Sequence, residues 1–330
     1  MHLRIFSNPI YRPVITLYLL LCLVMVWAAS SARAADTTHS GTVVKHPKIG
    51  LALGGGGARG AAHVGALHIL EQQGVPIDYI AGTNVGAVVG GLYSAGVSIS
   101  SLKEMFTRGT LMKAYLNVPL KLRLMGIPLV STSRLLGHKS FDGLYRGEKF
   151  KSFLNKYVPE SERDLEDLKV PFGAVTYDLI NGEVKVLRKG NLGAVLQASS
   201  AIPVLRKPVQ LGTEAEPLLC IDGGVAVNIP VKEVREMGAD IVIAVDLNDY
   251  ARGSKLEEYY KPGSVSHRVI QAHLRCIDRG QLDNADIVIK PNVDHMGLMS
   301  RQPELARRAI LEGENATMEK WEQISGLIRK

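Results

Sequence analysis

Apolar and amphipathic segments alternate along residues 48–93, with glycines at the turns between them. Residues 48–53 and 77–81 are mostly apolar and predict two buried strands. The segment between them predicts a helix that stops at Gly74, with one apolar face formed by Ala62, Ala66, Ile69 and Leu70. Residues 87–93 predict a second, fully buried helix. This order of strands, glycine turns and helices predicts an α/β fold with a parallel sheet and right-handed crossovers.

The alternation resumes after an acidic linker at 160–167. The predicted elements are strand 170–177, a hairpin turn at Asn181-Gly182, return strand 183–187, helix 192–200, strand 217–221, helix 231–237 and strand 241–247. The tail 264–330 predicts helices apart from a short strand at 287–289. Because no repeat or internal linker interrupts this order, residues 48–330 are predicted to form one domain.

Residues 98–165 are less regular, because Pro119, Gly126 and Pro128 interrupt any apolar period. Between positions 103 and 156 there are eleven Lys or Arg residues against three acids. One interpretation is an insertion that packs on the sheet edge and exposes a solvated charged face. The other is a cap or membrane-facing surface, since basic residues near anionic headgroups each gain about 1 kcal/mol.

The first 34 residues have the order of a secretory signal peptide. Arg4 and Arg12 precede an apolar run at 14–29, and Ala32-Arg33-Ala34 has the form of a cleavage site. Cleavage near Ala34-Ala35 would export the protein to a periplasmic or extracellular location, with 35–47 as a flexible leader. The alternative is an N-terminal membrane anchor, although a spanning helix needs ~20 apolar residues.

The remaining composition is that of a globular protein, with 46% hydrophobic and 22% charged residues. The net charge of +7 falls to about +4 once Arg4, Arg12 and Arg33 are removed, and the excess lies between positions 103 and 156. Outside that segment the chain is mildly acidic, and we expect no nucleic-acid partner. Cys220 and Cys276 are too few for a disulfide framework, and two buried thiols are favoured over a single bridge.

A glycine-rich turn at 54–60 follows the first strand. Gly55, Gly57 and Gly60 fit the G-x-G-x-x-G dinucleotide fingerprint, but Asp78 lies at the wrong end of the next strand to bind a ribose. A Walker phosphate loop is excluded, because Ala61 stands where lysine is required. Backbone N–H groups at a helix N-terminus also form oxyanion holes. A nucleotide-binding module is therefore the weaker alternative.

The second turn, 82–86, has the frame of a nucleophile elbow, G-x-S-x-G, between a strand and a helix. Gly82 and Gly86 are both present, but the apex residue is Asn84. A third short motif, Asp222-Gly223-Gly224, follows the predicted strand 217–221.

These motifs, in this order, resemble those of the patatin-like phospholipases: G-G-G-x-R/K-G, G-x-S-x-G and D-G-G/A. The blocks 198–203, 228–231 and 237–240 also look like the family's. The resemblance spans residues 48–247 and implies a three-layer α/β/α fold with a largely parallel central sheet. It also implies a lipid acyl hydrolase with a Ser–Asp dyad, which acts on a lipid or acyl ester without cofactor or metal.

The family's roles carry over to matching positions. They are the nucleophile position at Asn84, the general base at Asp222, the oxyanion loop at Gly55, Gly56 and Gly57, and its basic residue at Arg59. The departure is Asn84, because a carboxamide nitrogen is a very poor nucleophile and covalent catalysis should be abolished. Histidine needs no role in such a dyad. In an ordinary Ser-Asp-His hydrolase, the candidates by chain order would be His267, His273 and His295.

Two interpretations of the resemblance stay open. The chain is either a hydrolase whose serine has been replaced, or a natural non-catalytic relative that binds lipid. Asn84 is compatible with both interpretations. Asparagine tolerates positive φ better than most residues, so the fold should persist although covalent catalysis is lost.

Overall fold

The computed structural model describes residues 46–118, 141–248, 255–260 and 264–328. In these ranges one sheet contains eight strands in the order β5-β6-β3-β2-β1-β7-β8, with β4 also paired to β3. The strands are β1 Ile49–Leu53, β2 Tyr79–Thr83, β3 Phe172–Asp178, β4 Glu183–Leu187, β5 Val209–Gly212, β6 Pro217–Asp222, β7 Ile241–Val245 and β8 Ile287–Ile289. The pairs β1–β2, β1–β7, β2–β3 and β7–β8 are parallel.

β3 joins the parallel and antiparallel parts of the sheet. One of its edges pairs with β4. Its other edge pairs first with β2 in parallel and then with β6 in the antiparallel direction. Thr83, the last residue of β2, pairs with Val175, and Asp222, the last residue of β6, pairs with Thr176. The two strand ends therefore meet head to head, and Asn84 becomes a neighbour of Asp222.

Helices cover both faces of this sheet. They are α1 Ala61–Gln72, α2 Val85–Ser94, α3 Ile99–Thr107, α4 Thr110–Tyr115, α5 Glu148–Asn155, α6 Leu192–Ser199, α7 Val231–Glu236, α8 Ser264–Leu282, α9 Pro303–Glu319 and α10 Trp321–Ile328. Leu51 and Leu53 of β1 pack in the larger apolar cluster, and Ala52 packs in a smaller one with Val234 of α7. This alternation is the period of two expected for a strand buried on both faces.

The α/β fold with a largely parallel central sheet is confirmed. The strands and helices predicted for 48–93 and 170–247 lie within two residues of their observed bounds. β5 was not predicted. The described part of the irregular segment 98–165 contains the α-helices α3, α4 and α5, whose apolar residues enter the core. The predicted signal peptide, nearly all of the leader and residues 119–140 lie outside the described residues.

Two further properties concern the described residues alone. None of their helices combines the length and the apolar character that crossing a bilayer requires. Cys220 and Cys276 are both free thiols. Cys220 is buried as predicted, but the prediction for Cys276 is wrong, because it lies on the solvent side of α8 and is exposed.

Candidate active site

The turn between β2 and α2 is held in a strained conformation with Asn84 at its apex. Asn84 has φ 56° and ψ −120°, a region that few residues other than glycine adopt. The flanking glycines allow the close approach of neighbouring backbone. A Cβ on Gly82 would lie 2.5 Å from the Ala87 nitrogen, and one on Gly86 would lie 2.1 Å from the Leu53 oxygen. The turn therefore has the geometry of a nucleophile elbow.

The carboxamide of Asn84 connects two of the predicted site motifs. Its Nδ2 donates a hydrogen bond to Oδ2 of Asp222, and its Oδ1 accepts one from the Gly57 N–H at 3.3 Å. The backbone N–H of Asn84 donates to Ser199 Oγ at 3.2 Å, and that hydroxyl donates to the Val175 carbonyl at 2.7 Å. The residue is 8% exposed. The side chain at position 84 therefore lies between the glycine turn and the aspartate.

Asp222 is a buried carboxylate whose pKa is raised toward neutrality. Burial raises the pKa of Asp222 to about 6, although hydrogen bonds from the Gly224 N–H and from Asn84 oppose the rise. The Gly224 N–H donates to Oδ1 at 2.8 Å, which leaves Oδ2 directed at Asn84. A carboxylate with a pKa close to the working pH is suited to accept a proton from a neighbouring group.

Some backbone N–H groups of the glycine turn are already hydrogen-bonded, whereas another is free to bind a ligand. The Gly55 N–H already donates to the Asn228 carbonyl at 3.2 Å, and the Ala58 N–H donates to the Leu298 carbonyl at 2.7 Å. Arg59 Nε donates to the Met296 carbonyl at 2.8 Å. Among the described residues the Gly56 N–H has no hydrogen-bond partner. Gly56 and Gly57 are therefore the amides that an oxyanion would meet.

Two buried groups that the sequence did not single out hold this turn in place. His63 on α1 donates from Nε2 to the Gly54 carbonyl at 2.7 Å, and burial lowers the pKa of this imidazole to about 4, so it is neutral. The only sign of His63 in the sequence is that it is a polar residue among the apolar residues of the first turn of α1. Asp278 on α8 accepts hydrogen bonds from the side chains of Asn228 and Asn248, both at 3.0 Å. No local motif marks Asp278, because its partners are distant in sequence.

A cavity of about 690 Å³ opens in front of Asn84 and Asp222. Its polar lining includes the glycine turn, Asn84 and Asp222, together with Arg59, Ser200, Asn228, Asn248, Gln271 and His273. Its walls are apolar and come from α2, α4, α5, α8 and two loops: Val85, Val88, Leu111, Met112, Tyr115, Phe150, Ile202, Pro203, Val204, Val269, Ile270, Leu274, Leu298 and Met299. A mainly apolar cavity that also contains a limited number of polar groups is suited to an amphiphilic ligand.

The three histidine candidates do not complete a triad within the described residues. His273 lines the cavity, but its Nε2 is hydrogen-bonded to the Val225 carbonyl at 2.9 Å. Neither ring nitrogen of His295 has a hydrogen-bond partner in the part of the chain that the structure describes. The His267 side chain lies outside that part. Among the described residues no group of three or more His, Cys, Asp or Glu side chains could hold a metal ion.

Comparison with known proteins gives a consistent family. The family model described as patatin-like phospholipase matches residues 51–235. Human patatin-like phospholipase domain-containing protein 6 is 30% identical over 222 residues, which cover 67% of this chain and 15% of that protein. An uncharacterized NTE family protein of Mycobacterium tuberculosis is 34% identical over 209 residues, covering 63% of this chain and 51% of that protein.

Among solved structures, human GIVD cytosolic phospholipase A2 has a similar fold. The TM-score is 0.50 at 14% identity, over 86% of this chain and 60% of that chain. This likeness concerns the fold alone. The chain spans only 15% to 51% of the length of the two relatives described above.

Proposed function

Because the chain belongs to the patatin-like phospholipase family, we propose that it is a lipid acyl hydrolase scaffold whose covalent chemistry is blocked at Asn84. The observation that carries the proposal is the position of the Asn84 side chain, hydrogen-bonded at once to Asp222 and to the Gly57 N–H. A serine at this position would place its hydroxyl between a base and an oxyanion loop, as nucleophilic acyl transfer requires.

The chemistry available to such a serine follows from the site. Its Oγ would attack the ester carbonyl while Asp222 takes the hydroxyl proton, and the amides of Gly56 and Gly57 would stabilise the oxyanion. Collapse of the tetrahedral intermediate would release the alcohol with a proton returned from Asp222. Water would then cleave the acyl-enzyme in a second step that uses the same base. With Asn84 the first step has no nucleophile.

The second candidate is a natural non-catalytic relative that binds lipid. The hydrogen bonds of Asn84 favour it, because a single carboxamide provides a donor for Asp222 and an acceptor for the Gly57 N–H. The apolar cavity would keep its use as a binding site for an acyl chain.

Restoring the hydroxyl tests the hydrolase proposal. We expect Asn84→Ser to hydrolyse a short-chain, water-soluble aryl ester and to be labelled by a fluorophosphonate, whereas the unchanged chain does neither. Asn84→Ala is the matched control for removal of the carboxamide. Adding Asp222→Asn to Asn84→Ser should lower the rate by about 10²-fold or more, since the base is lost. A folded Asn84→Ser protein that is silent in both assays would contradict the latent-hydrolase proposal and favour the lipid-binding one.

The place of action is a separate proposal that rests on the sequence of the N-terminus. We propose export to the periplasm or medium after cleavage near Ala34-Ala35, followed by peripheral contact with an anionic membrane surface. The net positive charge of the segment 103–156 would attract the protein to such a membrane, whichever surface of the fold then inserts. N-terminal sequencing of the protein from each cell fraction is the measurement. A chain that retains residues 1–34 in the membrane fraction would indicate the anchored alternative.

A further inference from the structure

Exposed apolar side chains surround the mouth of the cavity. They come from three separate parts of the chain, and we call them the apolar rim: Val204, Val265, Val269, Ile270, Leu298 and Met299. Val204 is 77% exposed, Val269 62% and Ile270 57%. All except Val265 also line the cavity. Scattered apolar residues on a surface need no explanation, but a contiguous set around a cavity does.

The rim is held in place by the active-site framework. The Leu298 carbonyl accepts the Ala58 N–H of the glycine turn, so the loop with Leu298 and Met299 is tied to that turn. Val204 has φ 68°, which is a costly conformation for a β-branched residue. Its carbonyl accepts the Leu144 N–H at 3.2 Å. The fold thus holds an apolar side chain outward in a strained turn at the mouth of the cavity.

Positive charge lies next to this rim on α8. Arg268, Arg275 and Arg279 are spaced by seven and four residues, so they form a stripe along one side of the helix. Val265 and Val269 lie beside that stripe at a spacing of four residues. The one acid of α8, Asp278, is buried and faces the active-site framework. The outer face of α8 therefore combines exposed apolar residues with net positive charge.

We propose that the apolar rim and the arginine stripe of α8 form the surface that docks on an anionic lipid bilayer. The proposal rests on the proposed function, because an acyl ester taken from a bilayer must enter the cavity through this rim. An amphipathic surface with basic residues is the kind that settles at the headgroup boundary. The proposed insertion surface consists of α8 and the two loops. It does not include the basic segment 103–156, in which two of the basic residues, Lys103 and Arg108, are paired with Glu314 and Glu104.

The occupant is lipid because of what lies behind the rim. A lipid whose acyl chain extends into the cavity fills it while its anionic headgroup meets the arginines. A second copy of the chain or a flat protein partner would cover the rim but leave an apolar cavity of about 690 Å³ empty.

A depth measurement on the full chain tests the surface directly. Cys22 and Cys276 are changed to serine, and Ile270→Cys is labelled with an environment-sensitive fluorophore. The matched control carries the label at Leu311→Cys on α9, which is 53% exposed and lines no part of the cavity. With phosphatidylcholine–phosphatidylglycerol vesicles, we expect nitroxide-bearing lipid to quench the label at position 270 and to leave position 311 unquenched. This local readout is independent of any contribution from the N-terminal apolar run.

Substitutions then separate the apolar and charged contributions, with the label moved to Met299→Cys. Ile270→Asp should raise the lipid concentration at half-maximal signal by about tenfold, and Leu311→Asp should leave it unchanged. Arg275→Gln should raise it by about fivefold on anionic vesicles only. Arg307→Gln on α9 is the matched control.

Three results would overturn the proposal. The first is equal quenching at positions 270 and 311. The second is no effect of Ile270→Asp on the lipid concentration at half-maximal signal. The third is a dimer that forms without vesicles and dissociates in the Ile270→Asp variant. Loss of the signal on changing Lys149 and Lys156 to glutamine, with the α8 variants unaffected, would assign the docking to the basic segment instead. None of these results depends on turnover, so an inactive Asn84→Ser variant would count only against the proposed function.

Discussion

At the scale of single residues, the site depends on two buried titratable groups with opposite shifts. Asp222 has its pKa raised to about 6 by burial, and His63 has its pKa lowered to about 4 by burial. Both belong to the framework of the site, since Asp222 accepts a hydrogen bond from Asn84 and His63 donates one to the Gly54 carbonyl. Burial therefore favours the neutral form of both groups in the folded state.

The two shifts predict opposite dependences of stability on pH. The stabilisation from Asp222 is fully present below the ordinary carboxylate pKa of 3.8 and is lost as pH rises through about 6. The stabilisation from neutral His63 is present above the ordinary imidazole pKa of 6.5 and is lost as pH falls toward about 4. Each amounts to roughly 3 kcal/mol. In the unchanged chain the two contributions to the free energy of unfolding have opposite slopes and largely cancel between pH values of about 4 and about 6.

Single substitutions should therefore reveal each dependence. Asp222→Asn leaves His63 unopposed, so the free energy of unfolding should rise with pH between about 4 and 6. His63→Gln keeps a donor for the Gly54 carbonyl and leaves Asp222 unopposed, so the free energy of unfolding should fall over the same interval. Urea titrations at a series of pH values measure both, with the double variant as control. Parallel pH profiles for the two single variants would contradict these assignments.

At the scale of elements, the sequence predicts the strands and helices well but does not predict how two strand ends meet. The elbow strand β2 and the aspartate strand β6 are 133 residues apart at their nearest ends, and each is recognisable from its own apolar run. Their meeting depends on β3, whose one edge accepts β2 and then β6. The pairing of β2 and β6 with successive parts of β3 is a long-range property of the sheet. The local pattern of apolar residues contains no information about it.

The sequence did not reveal strand β5 or the role of helix α8, for two different reasons. β5, with Val209 and Leu211 half-buried, is a short edge strand with too few residues to show alternation. α8 was predicted only as part of a helical tail, although its Asp278 binds Asn228, whose carbonyl anchors Gly55. The motifs at 55–60, 82–86 and 222–224 could be found because each is contiguous. The supporting residues are dispersed and gain their meaning only from the fold.

At the scale of the whole molecule, the site extends beyond the segment that the family model matches. That segment ends at residue 235, yet one wall of the cavity comes from α8 and from the loop with Leu298 and Met299. Asp278 and the Ala58–Leu298 hydrogen bond attach these parts to the glycine turn. The size and shape of the cavity are therefore set by the tail as well as by the sheet and the helices that follow its strands. Acyl-chain selection should accordingly respond to changes in α8.

Narrowing the cavity from α8 tests this directly. Leu274→Trp adds volume to a wall that lies outside the segment matched by the family model. Long acyl chains should therefore lose contacts worth about 0.8 kcal/mol for each methylene excluded. We expect a fluorescent long-chain fatty acid to bind the Asn84 chain at least about tenfold more weakly after this change. A short-chain analogue should lose less than about threefold, because it occupies only the end near Asp222. Leu311→Trp, on the exposed face of α9, is the matched control. Because binding is measured without turnover, the result applies to a latent hydrolase and to a lipid-binding relative alike. Equal losses of affinity for the long-chain and the short-chain ligand would show that α8 does not limit the acyl chain.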